Sequence, residues 1–418
     1  MDWSKAKRSS ISAGSFKPYY DNGAPYHQQF QQFQSPSSSP IIAPQLQQQL
    51  PSRSAYYETH WPLFNCDWSK NNHNSNELIA LSTYREDSIN KIEVIEGSPS
   101  TVEHINGTTS EGLDFYKNCE HNVDLPITKL LWDPSGIERL IITNDRLTLL
   151  NYDYLNQKLD EKISLVNGSL NSQKNRSYPP LTSFDWNKVS PNLILTSSID
   201  TTCTVWDLNH VQSPHTQLIA HDSEVFDVQF LSNSKDIFAS VGCDGSMRVF
   251  DLRCLDHSTI IYEPQVPISV TASTSSTSGA SEINNTPLLR LATSNSDSYI
   301  IATFASKSQD IQIMDMRFPG LPILTLRGHS SNLNSIKWHP TQSVLLSAGD
   351  DCQAMIWDIS KPSAKSLDAD KQNYKNNIVV DHPDFAYNEN LEINQATWSK
   401  NGDWIGVVSG KGFQGVKV

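Results

Sequence analysis

Thr204-Val205-Trp206-Asp207, Arg248-Val249-Phe250-Asp251, Gln312-Ile313-Met314-Asp315 and Ala354-Met355-Ile356-Trp357-Asp358 close four stretches of the chain in the same way. Each is a short alternating run that ends a unit of several tens of residues, and self-similarity at such a spacing marks a repeat architecture. One unit cannot bury its own apolar face, so neighbours must stack. A ring of four-stranded blades does this while leaving few raw edges. The reading is a β-propeller, and its function must be sought on the surfaces of the ring.

A second register counts the blades. Aligned runs are Pro62-Leu-Phe-Asn-Cys-Asp-Trp68, Pro126-Ile-Thr-Lys-Leu-Leu-Trp132, Pro180-Leu-Thr-Ser-Phe-Asp-Trp186, Glu224-Val-Phe-Asp-Val-Gln-Phe230, Pro287-Leu-Leu-Arg-Leu-Ala-Thr293, Asn332-Leu-Asn-Ser-Ile-Lys-Trp338 and Glu392-Ile-Asn-Gln-Ala-Thr-Trp398. All seven carry an apolar second residue and six end on an aromatic. Such alternation, followed by partner runs such as Asn192-Leu-Ile-Leu-Thr-Ser and Asp236-Ile-Phe-Ala-Ser, is the pattern of a strand meander. The expected fold is all-β, a seven-bladed propeller of the WD40 type.

The fullest repeat holds His329, Ser347, Asp351 and Trp357. A buried imidazole between a turn carboxylate and a hydroxyl, with the indole N–H as a further donor, would satisfy polar groups between blades. His221, Ser240 and Asp244 repeat the set with Phe250 in place of Trp, and Thr196, Asp200 and Trp206 repeat it without a His. Because these Ser/His/Asp sets recur at fold-defining offsets, they read as scaffolding rather than as a nucleophilic site.

At 418 residues the chain exceeds the roughly 300 that seven units of ~40–45 residues need, so the surplus is expected in tails and loops. Residues 1–51, with His27-Gln-Gln-Phe-Gln-Gln-Phe-Gln34, Gln45-Leu-Gln-Gln-Gln49 and a Ser/Pro stretch, are too poor in aliphatic residues to order themselves and are expected to be a disordered tail. The propeller is expected over 52–418. Three insertions, at 97–122, 269–286 and 361–380, are expected as exposed loops between units. Ser54-Ala-Tyr-Tyr-Glu58 reads as an extra strand that closes the ring beside 413–418, since the last unit has only three strands of its own.

Six cysteines without a C-x-x-C pair look like reduced thiols of an intracellular protein. No apolar run has the ~18 residues of a membrane span, and Lys5, Lys7 and Arg8 precede no apolar core of a signal peptide. The net charge is −13, with +3 over residues 1–53 and −16 over the remainder. So acidic a ring lacks the basic stripe that phosphate neutralisation demands, which argues against direct nucleic-acid binding and for protein partners with basic segments.

The partner face is expected where the loop into each innermost strand opens around the channel. That rule selects Phe64, Thr128, Thr182, Phe226, Leu289, Asn334 and Asn394, with Glu224, Asn332 and Glu392 two positions earlier and Asp350 from a neighbouring turn. Side chains there are expected to be exposed without supporting the blade, with Phe64, Phe226 and Leu289 as apolar anchors inside an acidic rim.

The strings Pro180-Leu-Thr-Ser-Phe-Asp-Trp-Asn187, Thr196-Ser-Ser-Ile-Asp-Thr-Thr-Cys-Thr204, Thr216-Gln-Leu-Ile-Ala-His-Asp222, Phe238-Ala-Ser-Val-Gly-Cys-Asp-Gly245 and His257-Ser-Thr-Ile-Ile-Tyr-Glu263 go beyond the generic repeat. Through them the chain resembles the WD-repeat adaptor family typified by plant Transparent Testa Glabra and its animal counterpart. The resemblance implies a non-enzymatic seven-bladed scaffold of nucleus and cytoplasm. It implies partners that are transcription regulators or dual-specificity tyrosine-regulated kinases, or alternatively a substrate receptor of a cullin–RING ubiquitin ligase. The latter role goes with an Asp-x-Arg ending that docks on the ligase's damaged-DNA-binding adaptor. Asp251-Leu-Arg253 and Asp315-Met-Arg317 match it, although Phe250 and Met314 stand where the family has Trp. Alternatively, Arg253 and Arg317 cap strand ends or pair with nearby carboxylates.

Rival classes find less in the residues. No G-x-S-x-G, H-E-x-x-H, Walker A or zinc spacing is present, so neither an enzyme, a cofactor nor a metal is expected. A chromatin-reading or RNA-binding propeller would present an aromatic cage or a basic face, whereas the expected channel mouth is mostly apolar, amide or acidic. The expected state is a monomeric propeller within a complex, with no membrane partner.

Overall fold

The computed structural model describes residues 54–73, 76–86, 89–103, 109–168, 178–263, 286–360 and 378–418. The Gln-rich tail lies outside the described residues, as do 269–285 and 361–377 of the expected insertions. Every regular element described is a strand, and no helix is long and apolar enough to cross a membrane.

The strands form seven sheets. In chain order, the first blade is β2 (Asn65–His73), β3 (Asn76–Ser82), β4 (Asn90–Glu103) and β5 (Thr109–Val123). The second is β6 (Lys129–Trp132), β7 (Arg139–Thr143), β8 (Arg146–Asp153) and β9 (Lys158–Val166), and the third is β10 (Leu181–Trp186), β11 (Leu193–Ser198), β12 (Thr202–Asp207) and β13 (Thr216–Ile219). The fourth is β14 (Val225–Phe230), β15 (Ile237–Gly242), β16 (Met247–Asp251) and β17 (Cys254–Tyr262), and the fifth is β18 (Leu288–Thr293), β19 (Ile300–Ala305), β20 (Asp310–Asp315) and β21 (Leu324–Arg327). The sixth is β22 (Leu333–Trp338), β23 (Val344–Gly349), β24 (Gln353–Asp358) and β26 (Phe385–Asn388). The seventh is β27 (Ile393–Trp398), β28 (Trp404–Ser409) and β29 (Gly412–Lys417), completed by β1 (Ser54–Glu58), which pairs from Ser54↔Val416 to Glu58↔Gly412. The seven innermost strands are those read from the sequence.

The apolar second position of every inner strand explains the stacking. Leu63, Ile127, Leu181, Val225, Leu288, Leu333 and Ile393 are all buried. With the terminal aromatics they enter seven apolar clusters, one at each junction between neighbouring blades. No blade has a core of its own, so the ring must close to be stable. At the closing junction Phe413 lies edge-on to Trp68 at 6.0 Å and to Phe115 at 5.3 Å.

Two expectations about loops need correction. Residues 97–122 are not a loop between blades: most belong to the long β4–β5 hairpin, paired from Asn90↔Val123 to Glu103↔Thr109 inside the first blade. Phe115 from this hairpin packs on the seventh blade, and Glu111 contacts Lys417 there, so the hairpin braces the closure. At the end of the third insertion, β25 (Ile378–Val380) runs parallel to β21 and adds a fifth strand to the fifth blade.

Candidate protein-interaction face

The inner strands begin at one mouth of the channel, and their third residues sit there by a shared device. In the third to seventh blades the pairing of the first two strands skips one residue, and the residues skipped are Thr182, Phe226, Leu289, Asn334 and Asn394. A bulge of this kind takes a residue out of the ladder and re-aims its side chain.

The polar third residues spend that freedom on the next blade. Thr128 Oγ1 donates to the Leu181 carbonyl (2.9 Å), Thr182 Oγ1 to Val225 (2.5 Å), Asn334 Nδ2 to Ile393 (2.9 Å) and Asn394 Nδ2 to Leu63 (2.8 Å). In each case the acceptor is the apolar second residue of the neighbouring blade's aligned run. The first blade makes the same bond through Asn65 Nδ2 and the Ile127 carbonyl, 3.0 Å. The expectation of exposed residues that do not support the blade is therefore wrong for Thr128, Thr182, Asn334 and Asn394. They are half-buried clips between blades, because an amide or hydroxyl at this position, bulged at Thr182, Asn334 and Asn394, finds an inter-blade carbonyl within reach.

Phe226 and Leu289 hold the same position in adjacent blades, and neither can donate a hydrogen bond. Both are half-buried, and Leu289 also packs on the cluster between the fifth and sixth blades. Phe64 is likewise half-buried, its ring tilted against Tyr84 with centroids 5.0 Å apart. Glu224, Asn332 and Glu392 are exposed. Asp350 is half-buried and accepts from Asn334 Nδ2 at 2.6 Å and Asn332 Nδ2 at 3.2 Å, so it organises amides as well as contributing charge.

The repeated polar sets are internal. His329 Nδ1 lies 2.8 Å from Asp351 and its Nε2 2.7 Å from Ser347 Oγ, which also accepts from Trp357 Nε1 at 2.9 Å. His221 joins Asp244 (3.0 Å) and Ser240 (2.7 Å) in the same way, and Phe250 stacks on Phe238 where the indole would stand. Burial works against the Asp244 and Asp351 carboxylates. The His221 and His329 hydrogen bonds and nearby backbone N–H donors outweigh it, so both titrate below the usual range. Trp206 Nε1 donates to Thr196 Oγ1 at 3.0 Å, whereas Asp200 is not drawn to them; it accepts from Thr202 Oγ1 (2.6 Å) and Asn167 Nδ2 (3.2 Å). Asn167, which the sequence reading missed, also bonds Thr204 and Gln217 in this blade without a histidine. Ser240 and Ser347 have no exposed surface, so no substrate reaches these hydroxyls.

Channel carboxylates are committed as well. Asp67 accepts the backbone N–H of Trp132 (2.9 Å) and Asp185 that of Phe230 (2.8 Å), while Asp227 accepts that of Leu291 (3.1 Å). Each acceptor thus ties its blade to another inner strand. Lys337 Nζ pairs with Asp67 at 2.8 Å and Lys129 Nζ with Asp227 at 3.2 Å.

The Asp-x-Arg endings lie on the opposite face, where the third strands stop. Arg253 Nε and Nη2 meet the two Asp251 oxygens at 2.8 and 2.5 Å, and Arg317 Nη2 meets Asp315 at 2.6 Å. Each Arg thus pairs with the Asp of its own motif, and the hydrogen bonds from Arg253 bring Asp251 down to about 2. Arg317 also lies over the Tyr299 ring at 4.7 Å. Both guanidinium groups remain at least half exposed, in matching geometry on adjacent blades.

Comparison with known proteins agrees with this architecture. Residues 212–251 and 320–358 match the family model described as WD domain, G-beta repeat. The chain is 38% identical to WD repeat-containing protein YPL247C of Saccharomyces cerevisiae over 94% of its own length and 82% of the relative's. It is 35% identical to the DDB1- and CUL4-associated factor 7 homolog of Dictyostelium discoideum, over 87% of its own length and 98% of the relative's. A Schizosaccharomyces pombe WD repeat-containing protein, C17D11.08, is 36% identical over 87% and 89%. With its seven stacked blades and relatives aligned along most of their length, the chain belongs to the WD40 repeat family.

Proposed function

We propose that this chain is a non-enzymatic scaffold whose first channel mouth holds a basic segment of a protein kinase or transcription regulator. The observation that carries the reading is the pair Phe226 and Leu289. At the other five junctions an amide or hydroxyl clips one blade to the next, but here two apolar side chains remain half exposed, on a mouth that also carries the exposed carboxylates of Glu224 and Glu392. Apolar anchors inside a charged rim are the composition of a peptide-binding hot spot, and the acids favour a partner carrying Lys or Arg. Residues 52–418 act as one monomeric propeller, and the protein works in cytoplasm and nucleus. Affinity purification of the full chain tests this: a kinase or transcription regulator should co-purify in near-stoichiometric amount and be lost on Phe226→Ala with Glu224→Lys. Retention by that variant would contradict the site.

A second reading, a substrate receptor of a cullin–RING ligase, is favoured by the exposed, matched Arg253 and Arg317. It is also favoured by a relative named for association with DDB1 and CUL4. The two readings use opposite faces and are compatible in one molecule.

A further inference from the structure

One step inside the first mouth, the fourth residues of three aligned runs reach one another across the channel. Lys129 Nζ of the second blade lies 2.9 Å from Ser183 Oγ of the third and 3.2 Å from Asp227 Oδ1 of the fourth. Asp227 also accepts Ser183 Oγ and the backbone N–H groups of Val228 (3.0 Å) and Leu291 (3.1 Å), so both of its oxygens are occupied. Arg290 holds the same position in the fifth blade and stays out of this group. Its Nη1 turns back to donate to the carbonyl of Leu289 at 2.9 Å, and it forms no ion pair among the described residues.

This side chain does not hold the ring together. Thr182 and Asn334 bind the next blade, whereas the Arg290 guanidinium bonds only to the residue before it. Lys129 and Lys337, the other two cations of the seven runs, each have a carboxylate, in Asp227 and Asp67. A guanidinium carries five N–H donors in a rigid fork. Arg290 is half-buried and keeps the donors that the Leu289 carbonyl does not use, at the foot of the half-exposed Phe226 and Leu289. With Asp227 occupied, the complement of this charge comes from outside the chain.

We propose that Arg290 determines specificity at this mouth by receiving the carboxylate of an Asp or Glu side chain that stands beside the partner's apolar anchor residue. The inference rests on the reading of this mouth as the partner site and adds the sequence that the site selects. Arginine takes a carboxylate through two parallel N–H···O bonds, which fixes direction as well as strength. Ring order argues for a side chain within a segment and against a chain end. Glu224 belongs to the run of the fourth blade and Glu392 to that of the seventh, on either side of Arg290 in the fifth. A segment whose basic residues meet both acids therefore continues past Arg290 in both directions. The same exposed acids disfavour a phosphate, whose second negative charge they would repel.

The test selects binders from a randomised peptide library displayed on phage, with the full chain as bait, and measures the recovered peptides by fluorescence anisotropy. Peptides whose binding is lost on Phe226→Ala with Glu224→Lys should carry Asp or Glu next to an apolar residue. Changing that acid to its amide in the peptide should weaken binding to the wild-type chain at least about tenfold. This comparison leaves the protein untouched, so it does not depend on how a variant folds. Arg290→Glu should turn the selection toward Lys or Arg at the same peptide position. Mouth-dependent peptides without an acid preference, an amide peptide that binds as well as its acid, or an unchanged selection by Arg290→Glu would overturn the role of Arg290 and leave the partner site standing. Recovery of no peptide that depends on Phe226 and Glu224 would contradict both. A phosphoserine peptide bound more tightly than its Glu counterpart would overturn the choice of a carboxylate.

Discussion

Asn394 donates its side-chain N–H to the backbone carbonyl of Leu63, 331 residues earlier in the chain, at 2.8 Å. The bond joins the last inner strand to the first and repeats a contact made at four other junctions. Replacing Asn394 or Asn334 with Ala should each cost about 1 kcal/mol, the net worth of a hydrogen bond whose acceptor is partly buried. Urea unfolding midpoints measure this, and additivity of the two within ~0.5 kcal/mol would indicate independent clips.

Closure by β1 yields a second expectation. Deleting residues 1–51 should leave the melting temperature nearly unchanged, because β1 begins at Ser54. Deletion to residue 60 removes the whole of β1 and exposes β29, so it should lower the melting temperature strongly and promote edge-to-edge association. Calorimetry and size-exclusion chromatography of the two truncations distinguish these outcomes.

Asp351→Ala should leave His329 without the carboxylate partner of its Nδ1 and cost ~1–3 kcal/mol. The wild type should also be acid-labile through Asp244 and Asp351. Both folded-state pKa values lie below the unfolded carboxylate range, so their stabilisation is fully present above about pH 4 and is lost as pH falls through the folded values. Unfolding free energies at pH 7 and pH 3 should therefore differ less in Asp351→Ala than in the wild type.

The ligase reading predicts that Arg253→Ala with Arg317→Ala abolishes co-purification of the ligase's damaged-DNA-binding adaptor, while kinase or transcription-regulator partners persist. Each Arg is at least half exposed and pairs with its neighbouring Asp, so stability should be nearly unchanged. Equal recovery of the adaptor by the double variant would leave Asp-x-Arg as a local strand terminus.

The blades were legible because burial at the second and seventh positions of each inner strand dictates residue type: Leu63, Val225 and Ile393 are apolar for the same geometric reason. The extra strand before the first blade was legible because an unpaired last strand demands a partner. The clips were not. A bulge is defined by the offset of two strands, so Thr182 and Asn334 look in sequence like ordinary exposed polar residues. The β4–β5 hairpin was hidden by its Ser, Thr, Gly and Asn content, which reads as loop although its ladder is continuous with the blade.

The central claim, that the half-exposed apolar pair and its acidic rim form the partner site, is tested most directly by Phe226→Ala combined with Glu224→Lys. Titration of a purified partner peptide and urea unfolding should be run on the same preparation. The account predicts binding weaker by at least ~2 kcal/mol, roughly thirtyfold, with unfolding nearly unchanged. Loss of stability with binding intact would make these residues core and move the partner to the rim or to the opposite face.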